Sequence, residues 1–407
     1  MAEGGPLAGL RVFDLTRVLA GPYCTQMLGD LGAEIVKIER PGSGDDTRGF
    51  APPYLPDADG AETGESAYFA GANRNKRSLT LDIATPEGQA IARRLIGQSD
   101  ILVENFKVGT LAKYGLAYDD LKSDFPGLIY CSVTGFGQTG PYAARPGYDS
   151  LIQAMGGIMS LTGEPDGAPM KVGVPIADLM AGMFAAVATL AAVRHREVTG
   201  DGQYIDIGML DTHVAWLANQ GMNYLATGEE PARLGNEHPN LVPYQVFPTE
   251  DGHIVLSVGN DAAFARFCAL VEREDLLEDD RFARNAARVR NRAFVTETLT
   301  PILQARPSAW WLEKLEAAGI GCGPINGLRD TFADPQVLAR EMVVEMAHPA
   351  TAPAPARLIA SPMRLSKTPV GYRHPPPMLG EHTEAVLGEL LGMAPGEVAA
   401  LRARGIL

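Results

Sequence analysis

Leu10-Arg11-Val12-Phe13-Asp14-Leu15, then Ala20-Gly21-Pro22 running on to Leu31-Gly32, then Ala33-Glu34-Ile35-Val36-Lys37-Ile38-Glu39 decide the fold. The first run reads as a short strand. Pro22 suits the first turn of a helix that continues to Leu31, and Gly32 ends it. The third run reads as a second strand. Strand, helix and strand within about 30 residues make a β–α–β unit. The alternation continues outward. Arg77 to Asp82 reads as a strand, Thr85 caps a helix with Pro86 at its first position, and Asp100 to Glu104 and Leu128 to Val133 are further strands. The expected class is α/β, with a Rossmann-like parallel-sheet large domain.

A chain of 407 residues exceeds one ordinary core, so two domains are expected. Residues 1–200 would form the large domain and 201–227 a linker. Residues 228–335 would form a smaller α+β domain, and 336–407 a return segment with a C-terminal helix completing the large one. Residues 41–66, rich in Gly, Pro and Asp, read as a long loop. Met209 to Leu225 reads as one helix after a strand from Gln203 to Ile207. Asp251-Gly252 joins Tyr244–Phe247 to His253–Val258 as a hairpin. Amphipathic helices fill 260–318, the Pro-rich stretch from His348 to Pro377 reads as extended, and a last helix ends at Leu391.

With 35 basic against 49 acidic residues the net charge is −14, which argues against nucleic acid or an anionic membrane as partner. Cys24, Cys131, Cys268 and Cys322 are far apart, without zinc spacing, and read as buried thiols; no metal is expected. Met-Ala-Glu-Gly-Gly-Pro at the start lacks the charged and apolar regions of a signal peptide, so the expected location is cytoplasmic. The apolar stretch from Leu179 to Val193 is shorter than the roughly 20 residues that span a bilayer.

Gly135-Phe136-Gly137-Gln138-Thr139-Gly140 matches G-x-G-x-x-G, but Pro141, Pro146 and Gly147 follow where a dinucleotide fingerprint needs a helix. A mobile loop over a site is the better reading. Arg40, Lys76, Lys107 and Lys113 lie near strand ends, where an open parallel sheet binds ligands. Asp178 stands between the extended run Val172 to Ile176 and an Ala-rich helix. Its local sequence fits a helix N-cap as well as a used carboxylate.

These blocks together resemble the class III CoA-transferases. The resemblance is carried by Leu10 to Pro22, Leu31 to Gly42, Asn75 to Asp82, Val103-Glu104-Asn105-Phe106, Gly135-Phe136-Gly137 and the segment ending in Asp178, in that order. It runs from about residue 7 to the Pro-Pro-Pro-Met-Leu-Gly-Glu-His block near the C-terminus. It implies an interlocked homodimer and an enzyme with no permanent cofactor, whose partners are an acyl-CoA and a small carboxylic acid. Asp178 would be the nucleophile, working through a mixed anhydride and an aspartyl-CoA thioester. Arg40, Asn105, Phe106, Lys113, Leu19, Ala20 and Lys76 would bind CoA. Tyr148, Gly137 and Arg17 would bind substrate.

Leu19 stands where oxalate-using members carry Gln, and residues 250–262 show no Gly-rich lid; both argue against formyl-CoA:oxalate exchange. Racemases carry His where this sequence has Tyr148, and a phenol is a poor base at neutral pH. Asn240 to Phe247 and Gly323-Pro324-Ile325-Asn326 look most like the succinyl-CoA:glutarate branch. That branch implies a short dicarboxylic acceptor whose distal carboxylate needs a cation, with Arg17, Arg74 and Arg145 as candidates. The competing readings are an α-methylacyl-CoA racemase and a non-catalytic acyl-CoA-binding dimer.

Overall fold

The computed structural model describes residues 4–407; the first three, where the expected absence of a signal peptide begins, lie outside the described residues. Two compact units divide the chain. The first combines residues 1–156, 172–216 and 338–407, and the second combines 157–171 and 217–337.

The first unit is built on six parallel strands: β1 (Arg11–Asp14), β2 (Glu34–Glu39), β3 (Lys76–Thr80), β4 (Ile101–Glu104), β5 (Ile129–Thr134) and β6 (Tyr204–Gly208). Their spatial order is β3-β2-β1-β4-β5-β6, all pairs parallel. This is the doubly wound arrangement, whose order reverses between β1 and β4. Because β6 closes this sheet, residues 201–216 group with the first unit instead of forming a linker.

Side-chain alternation along each strand sends neighbouring residues to opposite faces. Val12, Ile101, Val103, Ile129 and Cys131 meet helices α1 (Ala20–Asp30) and α4 (Ile176–Thr199). Phe13, Leu102 and Tyr130 meet α2 (Pro86–Ile96) and the C-terminal helices Thr383–Leu391 and Pro395–Ala403. Between α2 and α4 lies the short helix α3 (Asp149–Met155). Thr85 caps α2 as expected, accepting from Gly88 N–H.

Helix α4 has 24 residues, long and apolar enough to cross a bilayer by length. Here it buries a small-residue stripe, Ala177, Ala181, Ala185 and Ala192, against the sheet. Gly182 lets it approach α1 very closely: a Cβ there would stand 2.5 Å from Ala20 O.

Several elements differ from the sequence reading. The stretch 41–66 carries a short hairpin, Tyr54–Pro56 with Glu62–Ser66, after a single turn at Asp46–Gly49. Met209–Ala215 and Ala218–Thr227 are two helices, because Ala218 takes φ 45°, outside the right-handed helical region. A second hairpin, Val343–Ala347 with Pro355–Ile359, reaches into the stretch read as extended. Pro395–Ala403 adds a helix beyond Leu391.

The second unit has a three-stranded antiparallel sheet in which His253–Ser257 pairs with Tyr244–Pro248 and with Gly321–Pro324. The first pairing is the expected hairpin. Helices Asp261–Leu270, Arg292–Gln304 and Ser308–Ala317 close a core around Phe247, Phe264, Phe267 and Trp311. Arg288 is fully buried there, donating to Val242 O, Phe282 O and Asp261 Oδ1.

Beneath the strand ends of the first unit lies a buried charge network. Lys37 Nζ donates to Thr16 O at 2.9 Å and to Asp45 Oδ2 at 2.8 Å. Lys76 Nζ donates to Pro22 O at 2.9 Å and stands 3.1 Å from Asp14 Oδ2. Burial would raise Asp45, but Lys37 outweighs it and holds the carboxyl at about 2. Burial pulls Lys76 down to about 8 against the attraction of Asp14. Removing one partner of a buried pair leaves a charge without compensation, which costs about 3–5 kcal/mol. Lys76→Met should therefore lower stability by about 3 kcal/mol or more in denaturant unfolding. The folded variant should bind the acyl-CoA expected from the resemblance as tightly as the parent; a large loss of that affinity with stability unchanged would return Lys76 to the binding site.

Candidate active site

The carboxyl ends of β1 and β4 meet where the strand order reverses. Arg17 N donates to Asn105 Oδ1 at 2.9 Å, and Asn105 Nδ2 donates to Arg17 O at 2.6 Å. This reciprocal pair fixes the two loops edge to edge. Arg17 also lies over the Phe106 ring, 5.3 Å from its centroid, and pairs with Asp46 at 2.9 Å. Two cavities open here and share Arg17 and Phe106 in their walls. The smaller, about 110 Å³, adds Arg40, Ile83 and Tyr114. The larger, about 480 Å³, adds Ala20, Lys107, Arg145, Tyr148, Asp149 and Asp178.

Asp178 is the third residue of α4, and the residue before the helix, Pro175, offers no side-chain cap. The cap is Asp149, whose Oδ1 accepts the Ala177 N–H at 2.9 Å while Gln153 Nε2 donates to its Oδ2 at 2.7 Å. Asp178 is thereby free of the capping role that its local sequence suggested. The backbone N–H of Ala20, the first residue of α1, is near enough to stabilise its anion. Leu19 provides no side-chain cap for α1, so the N–H groups at that helix start are not met by a side chain of their own cap residue. The turn that aims this N–H holds Val18 at φ 69°, rare for a β-branched residue, with Val18 N–H donating to Asp45 at 3.1 Å.

Burial pushes Asp178 up to about 7, and the nearby Asp149 charge adds to that; the Ala20 N–H opposes both. A second raised carboxyl lies under the same wall. Burial lifts Glu104 to about 7, with Asp206 contributing, although its oxygens take the Ser132 hydroxyl and the Phe106 N–H, the latter at 2.7 Å. Gln138 Nε2 donates to Ser132 Oγ at 2.7 Å, and Gln138 N–H donates to Asp206 at 2.9 Å. One buried carboxyl thus ties the Asn105-Phe106 wall to the glycine loop.

That loop does not have dinucleotide-fingerprint geometry. Gly135 and Gly147 lie backbone to backbone, so that a Cβ on Gly135 would fall 2.4 Å from Gly147 Cα, and the next helix begins only at Asp149.

Of the residues singled out from sequence, Arg17, Ala20, Asn105, Phe106, Tyr148, Arg145 and Asp178 line the larger cavity, and Arg40 lines the smaller. Five others do not line either. Lys76 is buried under α1, for the charge-pairing reason given above. Lys113 is exposed on the turn Leu111–Tyr114. Leu19 is buried beside the site, and Gly137 (φ 79°) serves the loop backbone against Asp206. Arg74 is unavailable to a substrate: it is buried and makes a two-pronged pair with Asp30 at 2.9 and 2.6 Å. Asp149, Glu104 and Gln138 are additions; the sequence signal for Asp149 is its place just before an apolar helix, three residues after Pro146.

CoA-transferase family III matches residues 7–383. The chain belongs to that family. A succinate–glutarate CoA-transferase of Agrobacterium fabrum is 47% identical over 385 residues, covering 95% of this chain and 96% of that one. The mouse succinyl-CoA:glutarate CoA-transferase is 42% identical, covering 99% and 90%. The crystal structure of a CAIB/BAIF family protein from Brucella suis superposes with a TM-score of 0.83 at 45% identity, covering 95% of this chain and all of that one. This family III member is a CoA-transferase, and its larger cavity offers a carboxylate at a helix start, adjoining cations and an aromatic wall.

A carboxylate acts as nucleophile only when ionised. With Asp178 as the reacting carboxylate, the role put forward for it below, transfer at subsaturating substrate should fall about tenfold per pH unit below about 7. Asp149→Asn keeps an oxygen for Ala177 N–H but removes the neighbouring charge, so the midpoint should move to lower pH; Glu104→Gln should leave it near 7. An unmoved midpoint in Asp149→Asn would contradict the assignment.

The stability consequence has the opposite direction from a salt-bridged carboxylate. With a folded pKa of about 7 above an unfolded value near 3.9, the native state binds more protons across that window, so stability falls as pH rises. Asp178→Asn should raise the melting temperature by a few degrees at pH 8 and by progressively less toward pH 4, read by scanning calorimetry.

Proposed function

We propose that this enzyme moves CoA from succinyl-CoA to a short dicarboxylic acid such as glutarate, with Asp178 as the nucleophile. The observation that carries this reading is Asp178 itself, lining a cavity with Arg17, Asn105 and Phe106 near the first N–H of α1. The substrates follow the two similar relatives, named for succinate or succinyl-CoA and glutarate.

In the proposed sequence the Asp178 carboxylate attacks the thioester carbonyl of succinyl-CoA. The C–S bond breaks and CoA leaves as thiolate, giving an aspartyl–succinyl anhydride. The thiolate returns to the Asp178 carbonyl carbon, succinate departs, and an aspartyl-CoA thioester remains. A glutarate carboxylate attacks that thioester, and thiolate leaves again. The thiolate then attacks the glutaryl carbonyl, releasing glutaryl-CoA and the original carboxylate. No water and no net proton enter. Anhydride and thioester are both hydrolysable, so exclusion of water protects the yield. The Ala20 N–H at the start of α1 is aimed at the oxygen on which negative charge resides or develops.

Arg40, Phe106 and Asn105 form a path from the smaller cavity to the larger, suited to the nucleotide and pantetheine portions of CoA. Arg40, with no ion-pair partner among the described residues, would meet phosphate. Lys113, on the exposed turn after Thr110, would contact the same end. The active form is proposed to be an interlocked homodimer. Exposed Met183, Phe184 and Val187 on α4, with Val214 and Trp216 beyond it, form apolar surface that a second copy would cover.

Asp178→Ala should lower turnover about 10³-fold or more while CoA affinity by calorimetry changes less than about threefold. A variant retaining more than a tenth of the parent turnover would remove Asp178 from the chemistry.

A further inference from the structure

We infer that Arg145 receives the distal carboxylate of the dicarboxylic substrate and so sets the preference for diacids over monoacids. This rests on the reading of the Asp178 cavity as the transferase site.

The inference begins with the charges that line the cavity. Three side chains are cationic, Arg17, Lys107 and Arg145, and three are carboxylates, Asp46, Asp149 and Asp178. Arg17 is committed to Asp46 at 2.9 Å. Asp149 is committed to the start of α4 and to Gln153. Among the described residues Arg145 and Lys107 have no carboxylate partner, and neither pairs with Asp178. A wall with two such cations has capacity for an anion beyond the reacting carboxylate.

The two cations differ in what they can do. Lys107 is exposed and follows Phe106 directly, on the wall shared with the CoA path, as a point charge on a flexible stem. Arg145 is held by rings. Its guanidinium carbon lies 4.6 Å from the Tyr142 centroid and 5.6 Å from that of Phe136, and those rings meet edge to face at 5.6 Å. Stacking orients the guanidinium plane while leaving its N–H edge unspent, and that edge matches a carboxylate in a two-pronged pair. The backbone beneath is fixed as well. Arg145 N–H donates to Tyr142 O at 2.8 Å, and the Gly135–Gly147 contact closes the loop at its base.

A diacid can therefore place one carboxylate at Asp178 and the other on this fork. A monoacid of equal length presents a methyl group there and gains nothing from it. Because the guanidinium is exposed and stays hydrated when the monoacid binds, the discrimination comes from the pair formed with the diacid. Arg74 cannot take this part, being buried on Asp30.

The test compares glutarate with pentanoate, which has the same chain length and a methyl group in place of the distal carboxylate, as acceptors at saturating succinyl-CoA. Their ratio of kcat/KM cancels any effect on the donor. Arg145→Gln should reduce that ratio about 30-fold, through a higher KM for glutarate, and leave pentanoate within about twofold. Arg145→Lys, which keeps the charge and loses the fork, should give an intermediate ratio. A ratio unchanged in both variants, or a parallel loss with both acceptors, overturns the role of Arg145 while the transferase reading stands. Absence of CoA transfer to either acceptor by the parent enzyme overturns both.

Discussion

The placement of the Asp178 carboxylate beside the first N–H of α1 is the constraint on which the rest of the site depends. It brings the start of the helix after β1 to the start of the long helix before β6. In doubly wound folds the donors at that first helix start commonly hold a ligand phosphate. Here the chain sets its own carboxylate near them. The requirements propagate outward. Gly182 must be small because α4 lies against the Ala20 carbonyl. Val18 accepts φ 69° so that the loop can turn into α1. Asp45, held ionised by Lys37, receives the Val18 N–H and keeps that turn in place. Asp149 caps α4 so that Asp178 need not.

The same arrangement suits one carboxyl to the two parts proposed for Asp178, nucleophile and leaving group. Burial and Asp149 destabilise its anion, while the Ala20 N–H favours it. A carboxyl raised to about 7 is more basic than an ordinary aspartate yet still ionises near neutrality. Cations on the walls stand beside Asp178 without pairing with it among the described residues: Arg17 is occupied by Asp46, and Arg145 is stacked on Tyr142 and Phe136.

Much of the sheet was legible because parallel strands buried on both faces read as apolar runs, and Pro22, Thr85 and Pro86 mark helix starts. The rule that ligands lie beyond strand ends picked out Arg40 and Lys107, whereas Arg17, Asn105 and Phe106 came from the family resemblance. What was not legible depended on long-range partners. Arg74 looks like a free cation until Asp30, far earlier in the chain, is seen to occupy it. Lys76 looks like a phosphate ligand until Asp14 and Pro22 enclose it. The two missed hairpins are short, and the first carries Pro56, Gly60 and Gly64 and the second Pro349, Pro353 and Pro355, residues that ordinarily break strands. The break at Ala218 has no glycine to announce it. Local sequence offered two roles for Asp178, and only the spatial position of Asp149 separates them.

The most direct test of covalent catalysis by Asp178 follows oxygen. When an acceptor carboxylate attacks the aspartyl thioester, its attacking oxygen becomes the bridge of the anhydride and remains on Asp178 when the product leaves. Turnover of succinyl-CoA with glutarate labelled with ¹⁸O in its carboxylates should thus place label on Asp178, detected by mass spectrometry of the peptide that contains it. Direct attack of glutarate on succinyl-CoA would carry label to succinate and never to the protein. Label in the Asp178 peptide is the predicted result; vigorous exchange with an unlabelled peptide would contradict it.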